Sequence, residues 1–320
     1  MRPSSIVSIV IAVVLIITGA VLMNFAKEKA EKENIDIFGD AFSVDGSKVV
    51  ELDDMAPVKI QLFLADAEIN IKGSHGKSTI EFINYDSNYY ALSTNTDTLS
   101  FNENPKLETI VNFMDTGWSF KGIRYFINRH NFDKYVLRKE SADLPKVINI
   151  SLSDLDSLNS IEINASSCRV NISDIDVATD FYIFSPKAEI TTRNVVTTSS
   201  LTVNKGKETS PSDSVRLSSL SDTFSQLDIN SEKIDVTAQG LRITGSSFIQ
   251  GVEGSVRLDF SDYSSIEAAS GGRITVNQEL IDAPYTASRT NGKGAIRVEC
   301  VNAAVELIVP YTFEESTPEE

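Results

Sequence analysis

From Val58 almost to the C-terminus, short runs with an apolar side chain at every second position recur, and an α-helix cannot bury a stripe of that period. Val58, Ile60, Leu62 and Leu64 alternate with polar neighbours. Ile69 and Ile71, Ile80 and Phe82, and Leu99 and Phe101 continue the rhythm. Each run reads as a short strand with one buried face, separated by turn signals such as Gly73-Ser74-His75-Gly76 and Asn84-Tyr85-Asp86.

From Lys146 onward a small apolar-polar unit repeats. It is IEIN at Ile161, VNIS at Val170, LDIN at Leu227, IDVT at Ile234 and LRIT at Leu241. VRLD at Val256, ITVN at Ile274, IRVE at Ile296 and VELI at Val305 extend it. Ser, Thr, Asn, Asp and Gly fill the gaps, and no helix of three turns fits in this half. Very short strands with small polar corners predict an all-β fold: a β-solenoid that stacks short strands, with a β-sandwich as the alternative. Residues 40–110 suit a sandwich-like or mixed sheet. No strand–helix–strand rhythm exists to build a parallel α/β enzyme.

The other constraining segment is Ile6 to Met23, eighteen residues without a charge. With its neighbours it is long enough to cross ~30 Å of hydrocarbon as a helix. A signal peptide has a shorter apolar core, about 7–15 residues, and Asn24 is a poor −3 residue for cleavage after Ala26. The expectation is therefore an uncleaved anchor over 6–25 behind a tail of residues 1–5. A helical stalk over 26–37 carries Glu28 and Lys32 as an i,i+4 pair. Lys27, Lys29 and Lys32 after the helix against Arg2 before it would place the main domain in the cytoplasm by charge count. Long domains translocate regardless of such charges.

Acidity narrows the partners. Asp and Glu number 45 against 29 Lys and Arg, giving a net charge of -16, so nucleic acid is not an expected partner. Cys168 and Cys300 both continue apolar alternation and read as core thiols rather than a disulfide or zinc site. His75 and His130 have no neighbouring ligands or nucleophile. Asp154, Asp156, Asp174 and Asp176 pair near turns without a calcium-loop pattern and read as solvated acids. No metal, cofactor or catalytic residue is expected. Asn149, Asn164 and Asn171 open Asn-x-Ser sequons, which arise easily in Ser/Asn-rich strands.

Residues 112–145 stand apart as an aromatic, basic insertion or cap. Trp118, Phe120 and Tyr125 lie among Arg124, Arg129, Lys134 and Arg138. Aromatics beside cations suit a membrane interface, a carbohydrate or a polyanion, so these seven residues form the candidate contact surface. The plain alternative is a segment that packs its aromatics over an open end of the stack. Lys205 to Ser214 reads as a protruding polar loop, and residues 312–320 as a disordered acidic tail.

The stretches PVKIQLFLADAEINIKGSHGKSTIEFINYD, KVINISLSDLDSLNSIEINASSCRVNISDI and TNGKGAIRVECVNAAVELIVP resemble the bacterial putative-adhesin family of β-strand-repeat proteins. The resemblance spans about residues 50–311, over the expected regions 38–111 and 146–311. The chain departs from the family's Gly-Asp-Val/Ile turn at Ser167-Cys168-Arg169-Val170. The resemblance implies a membrane-anchored domain outside the bacterial cell, without catalytic residues. It implies a binding or scaffold role, with an envelope protein or cell-wall polymer as partner. An accessory or sensory subunit of an envelope-stress system and a polysaccharide-active β-helix enzyme are the alternatives.

Overall fold

The structure, a computed structural model, describes residues 47–53, 57–85, 90–95, 97–103, 145–153, 158–195 and 199–310. The expected anchor, the stalk and the acidic tail lie outside them. Among the described residues there is no helix, hence none able to cross a membrane. The all-β expectation holds.

Among the described residues, twenty strands form one hydrogen-bonded network. The first are β1 (Ser47–Glu51), β2 (Lys59–Gly73), β3 (Thr79–Ile83), β4 (Tyr90–Asn95), β5 (Thr98–Glu103) and β6 (Val147–Leu152). The middle holds β7 (Ser160–Ser173), β8 (Asp180–Phe184), β9 (Lys187–Arg193), β10 (Ser200–Val203), β11 (Ser214–Leu220) and β12 (Thr223–Phe224). Then come β13 (Gln226–Ile243), β14 (Ser246–Asp262), β15 (Ser265–Ser270) and β16 (Ile274–Val276). Finally there are β17 (Glu279–Ile281), β18 (Tyr285–Ser288), β19 (Ala295–Cys300) and β20 (Ala304–Ile308).

Four of these strands are much longer than the short runs read from sequence, and a slip in their period explains why. In β7, Ile161, Ile163 and Ala165 are buried, and then Cys168, Val170 and Ile172. In β2 the slip falls between Leu64 and Ala67, and in β13 between Ser231 and Ile234. One extra residue would turn every later side chain outward in a flat strand. Both halves stay buried, so the chain turns a corner there and each long strand serves two faces.

Pairing confirms the division. The first half of β7 pairs in parallel with β8 and the second half with β9. The first half of β13 pairs with β10 and the second with β11. With β8–β10 and β9–β11, these pairings close a ring of six parallel strands. Each two-faced unit is one rung, and its inward side chains stack on those of the next. One row runs Ile69, Val170, Ile190, Leu217, Val236, Val256, Val305 and Ile274, all buried. Burying each such side chain stabilises by about 1.5–3 kcal/mol before entropy is set against it.

The far corner of the second face has its own device. Asp174, Asn194 and Ser221 follow register-matched strand ends, and Gly240 holds the equivalent place within β13, with φ of 54°, 54°, 57° and 64°. These residue types tolerate left-handed backbone. The turn points each amide at the next rung: Asp174 N–H donates to Arg193 O at 2.9 Å, and Ser221 N–H to Gln239 O at 2.8 Å.

Rungs do not stack in chain order. β2 lies between the β5/β6 rung and β7. The last rung, β19/β20, lies between β14 and the β15/β16 rung. Antiparallel strands border each end: β4 on β5, β3 on β6, β17 on β16 and β18 on β15. Under the first of these ends Phe82 stacks on Phe101 at 4.2 Å, and Tyr85 meets Phe101 edge-on at 5.1 Å.

Candidate functional surface

Because inward positions are filled by aliphatics, chemistry is left to the outward positions, which parallel stacking aligns into ladders about 4.8 Å apart. On the second face one ladder alternates in charge: Glu68, Arg169, Glu189, Arg216 and Asp235. Arg169 lies 3.9 Å from Glu68 and 3.1 Å from Glu189, and Arg216 lies 3.3 Å from Asp235. These groups are exposed, so each pair contributes little to stability, but a shifted register would oppose like charges.

Beside it runs an asparagine ladder. Asn171 donates to Asn70 at 2.8 Å, Asn70 to Asn149 at 3.0 Å, and Asn149 to Glu81 at 2.9 Å. Two sequon asparagines, Asn149 and Asn171, are thus engaged side chain to side chain. The third, Asn164, donates to Glu162 at 2.8 Å. Glu162 also meets Lys59 at 2.5 Å and Gln61 at 3.1 Å. Burial raises its carboxyl pKa, but the Lys59, Asn164 and Gln61 bonds outweigh that and hold it below the usual value.

The seven aromatic and basic residues expected to form a contact surface, Trp118 to Arg138, lie outside the described residues, as do His130, Asp154 and Asp156. Their point of attachment is described. β2 runs from Phe63 to Glu68 around the near corner, while the adjoining rung runs from Asn102 to Val147, so this segment leaves and re-enters the stack at one corner. Glu103 and Lys146, both largely buried, form an ion pair across its base, and Glu103 accepts the Ala65 N–H at 3.0 Å. Lys146 also sits over the Tyr85 ring at 5.9 Å. Burial, with Glu103 and Asp66 nearby, pushes the Tyr85 phenol well above its ordinary value.

The same corner of the β10/β11 rung carries a loop whose residues 205–212 are exposed, within the Lys205–Ser214 stretch that sequence reading places there. His75 is exposed in a turn. Asp174 accepts from Asn194 at 3.0 Å, a corner bond that adjacency in sequence could not reveal. Among the described residues no three His, Cys, Asp or Glu side chains converge as a metal site would require.

Cys168 and Cys300 are buried free thiols, as expected. Burial pushes both from 9.0 to about 11, against a bond from Ser185 at Cys168 and from the Gly251 backbone at Cys300. Keeping both thiols protonated therefore stabilises the fold fully below about pH 8.5, and this contribution is lost as pH rises toward 11. Both should resist a thiol reagent such as DTNB at pH 8 until denaturant is added; stoichiometric reaction of the folded protein would contradict this burial.

One groove opens on the outside of the first face, about 700 Å³ in volume. Residues of β13, β14, β19, β15 and β18 line it, among them the outward Asp228, Phe248, Arg297, Glu267 and Thr286, and Lys205 of the corner loop also lines it. Sequence periodicity marks each of these residues as outward but cannot bring them together, because β19 enters between β14 and β15. Asp228 and Glu267 are its carboxylates, three rungs apart. That is about 14 Å at the strand spacing, beyond the ~9.5 Å limit of a paired-acid glycosidase.

No family model and no curated protein matches the chain. Solved structures do resemble it. A putative cell adhesion protein from Clostridium sporogenes is 14% identical, covering 82% of this chain and 97% of its own, with a TM-score of 0.32. A putative adhesin from Bacteroides fragilis is 12% identical over 82% and 96%, with a TM-score of 0.40. A putative adhesin from Parabacteroides merdae is 10% identical over 82% and 95%, with a TM-score of 0.25. Likenesses at these scores carry no argument about what this chain does.

Proposed function

We propose that this protein is a membrane-anchored β-solenoid outside the cell, with a non-enzymatic binding or scaffold role at the bacterial envelope. The observation that carries this reading is the corner between β5 and β6. There an otherwise regular rung gives way to an aromatic, basic segment whose two ends are joined by Glu103 and Lys146. Among the described residues, the interior of the stack is filled mostly by apolar side chains, which leaves binding to its outer surface and corners. The uncharged run from Ile6 to Met23 supplies the membrane attachment. The envelope polymer or anionic lipid surface is the partner that Lys121, Arg124, Arg129, Lys134, Arg138 and Lys139, interleaved with aromatics, would meet.

Replacing Arg124, Arg129, Lys134 and Arg138 together with Gln tests this. Binding of the full-length chain, held in neutral phosphatidylcholine nanodiscs, would be measured against vesicles containing phosphatidylglycerol and against a purified anionic wall polymer. At about 1 kcal/mol per lost cation near a charged surface, affinity should fall by at least tenfold. Equal binding by both proteins would reject the contact surface.

A further inference from the structure

The groove on the first face has a chemistry of its own. From β13 to β18 its floor presents Asp228, Phe248, Arg297, Glu267 and Thr286 in register, one per rung. At about 4.8 Å per rung these span about 19 Å along the stack. We infer that this groove binds a linear, uncharged glycan laid along the stack axis, with the half-buried Phe248 ring as the stacking platform for a sugar. The inference goes beyond the envelope-binding role proposed above: it concerns a second site and a neutral ligand.

Three observations select that ligand class. First, the cations are already matched. Lys205 pairs with Asp228, and Arg297 lies 3.6 Å from Glu267 and also pairs with Glu299. A polyanion would find no surplus positive charge there, whereas hydroxyls accept from a guanidinium and donate to a carboxylate. Second, β13, β14, β19 and β15 each have a strand on both sides, so along the groove floor a backbone edge is left to an added peptide strand only at β18, its far end. A peptide also advances about 3.4 Å per residue, out of step with the rungs, while a hexose unit repeats at close to the rung spacing.

Third, the platform is fixed in place. Asp228, buried at 3% exposure, accepts the Phe248 N–H at 2.9 Å and Gln226 Nε2 at 2.5 Å. Asp228 is thus a positioning residue, while Phe248, Arg297, Glu267 and Thr286 would touch the glycan. The volume of about 700 Å³ lies within the range of ligand sites.

The test uses the full-length chain in neutral nanodiscs and three neutral hexasaccharides, cellohexaose, chitohexaose and laminarihexaose, with hexagalacturonate as the anionic control. Calorimetry should show one of the neutral three binding, Phe248→Ala weakening it at least tenfold, and Arg297→Gln weakening it severalfold. The four-residue Gln variant of the aromatic segment should bind that glycan normally. If Phe248→Ala lowers the melting temperature, the exposed Arg297→Gln and Glu267→Gln variants carry the comparison. Failure of all three neutral glycans to bind, or binding indifferent to these groove substitutions, overturns the inference. Binding of hexagalacturonate alone, abolished by the four-residue variant, overturns it too while leaving the envelope-binding role standing.

Discussion

Ending the chain after Gly294 should release residues 265–288 as well as the rung that is deleted. β19 and β20 are not a terminal layer: they join β14 on one side to β15 and β16 on the other. Their removal takes away Ile296, Val298, Val305 and Leu307, all buried. At about 1.5–3 kcal/mol each, this is about 6–12 kcal/mol of apolar burial, comparable with the whole net stability of a typical domain. β14 and β15 would then face each other across a missing layer. Hydrogen exchange should show residues 265–288 unprotected in the truncated chain, with β7 to β11 losing less. Native protection of β15 and β16 without β19 and β20 would refute the stacking order.

Asp222→Ala is expected to cost about 3–5 kcal/mol, because each buried donor left without an acceptor costs about 1–3 kcal/mol and the four losses do not add fully. One inward row of the second face reads Ile71, Ile172, Thr192, Ser219, Ala238, Leu258. Two hydroxyls interrupt aliphatics, and neither reaches water: Thr192 is 1% exposed and Ser219 3%. Asp222, fully buried, answers both, accepting from Thr192 Oγ1 at 2.5 Å and Ser219 Oγ at 2.6 Å. It also accepts the Val195 N–H at 2.8 Å and the Leu220 N–H at 3.2 Å. Alanine would strand four donors and leave a cavity. Asn at the same place keeps the shape and some of the bonds, so Asp222→Asn should cost less, about 1–2 kcal/mol. Urea midpoints of the two variants would measure this. A loss under about 1 kcal/mol for Asp222→Ala would mean that the donors find other partners.

The acidic residue behind that prediction was visible in the sequence only as part of Leu220-Ser221-Asp222, an ordinary polar turn. What makes it a plug is the left-handed Ser221, which swings Asp222 under the rung. Asp174 reads from the sequence as a solvated acid near a turn, and its equivalence to Asn194 is invisible there because it depends on register. The aromatic segment shows the reverse case. Its composition marked it out at once, and the structure adds the ion-paired base from which it leaves the stack.

Burial on each strand followed from local order alone. A pleated chain points neighbours to opposite sides, so Ile161 and Ile163 had to share a face whatever lay beside them. Core thiols at Cys168 and Cys300 followed for the same reason, and the exposed loop at 205–212 followed from its polar composition. Neighbourhood across rungs was decided only in three dimensions. Glu68 meets Arg169, and Phe248 meets Arg297, through backbone hydrogen bonds that every strand can make equally well. Which pairing wins depends on how whole rungs fit and close off each end. That is a sum over distant side chains, and no window of sequence contains it.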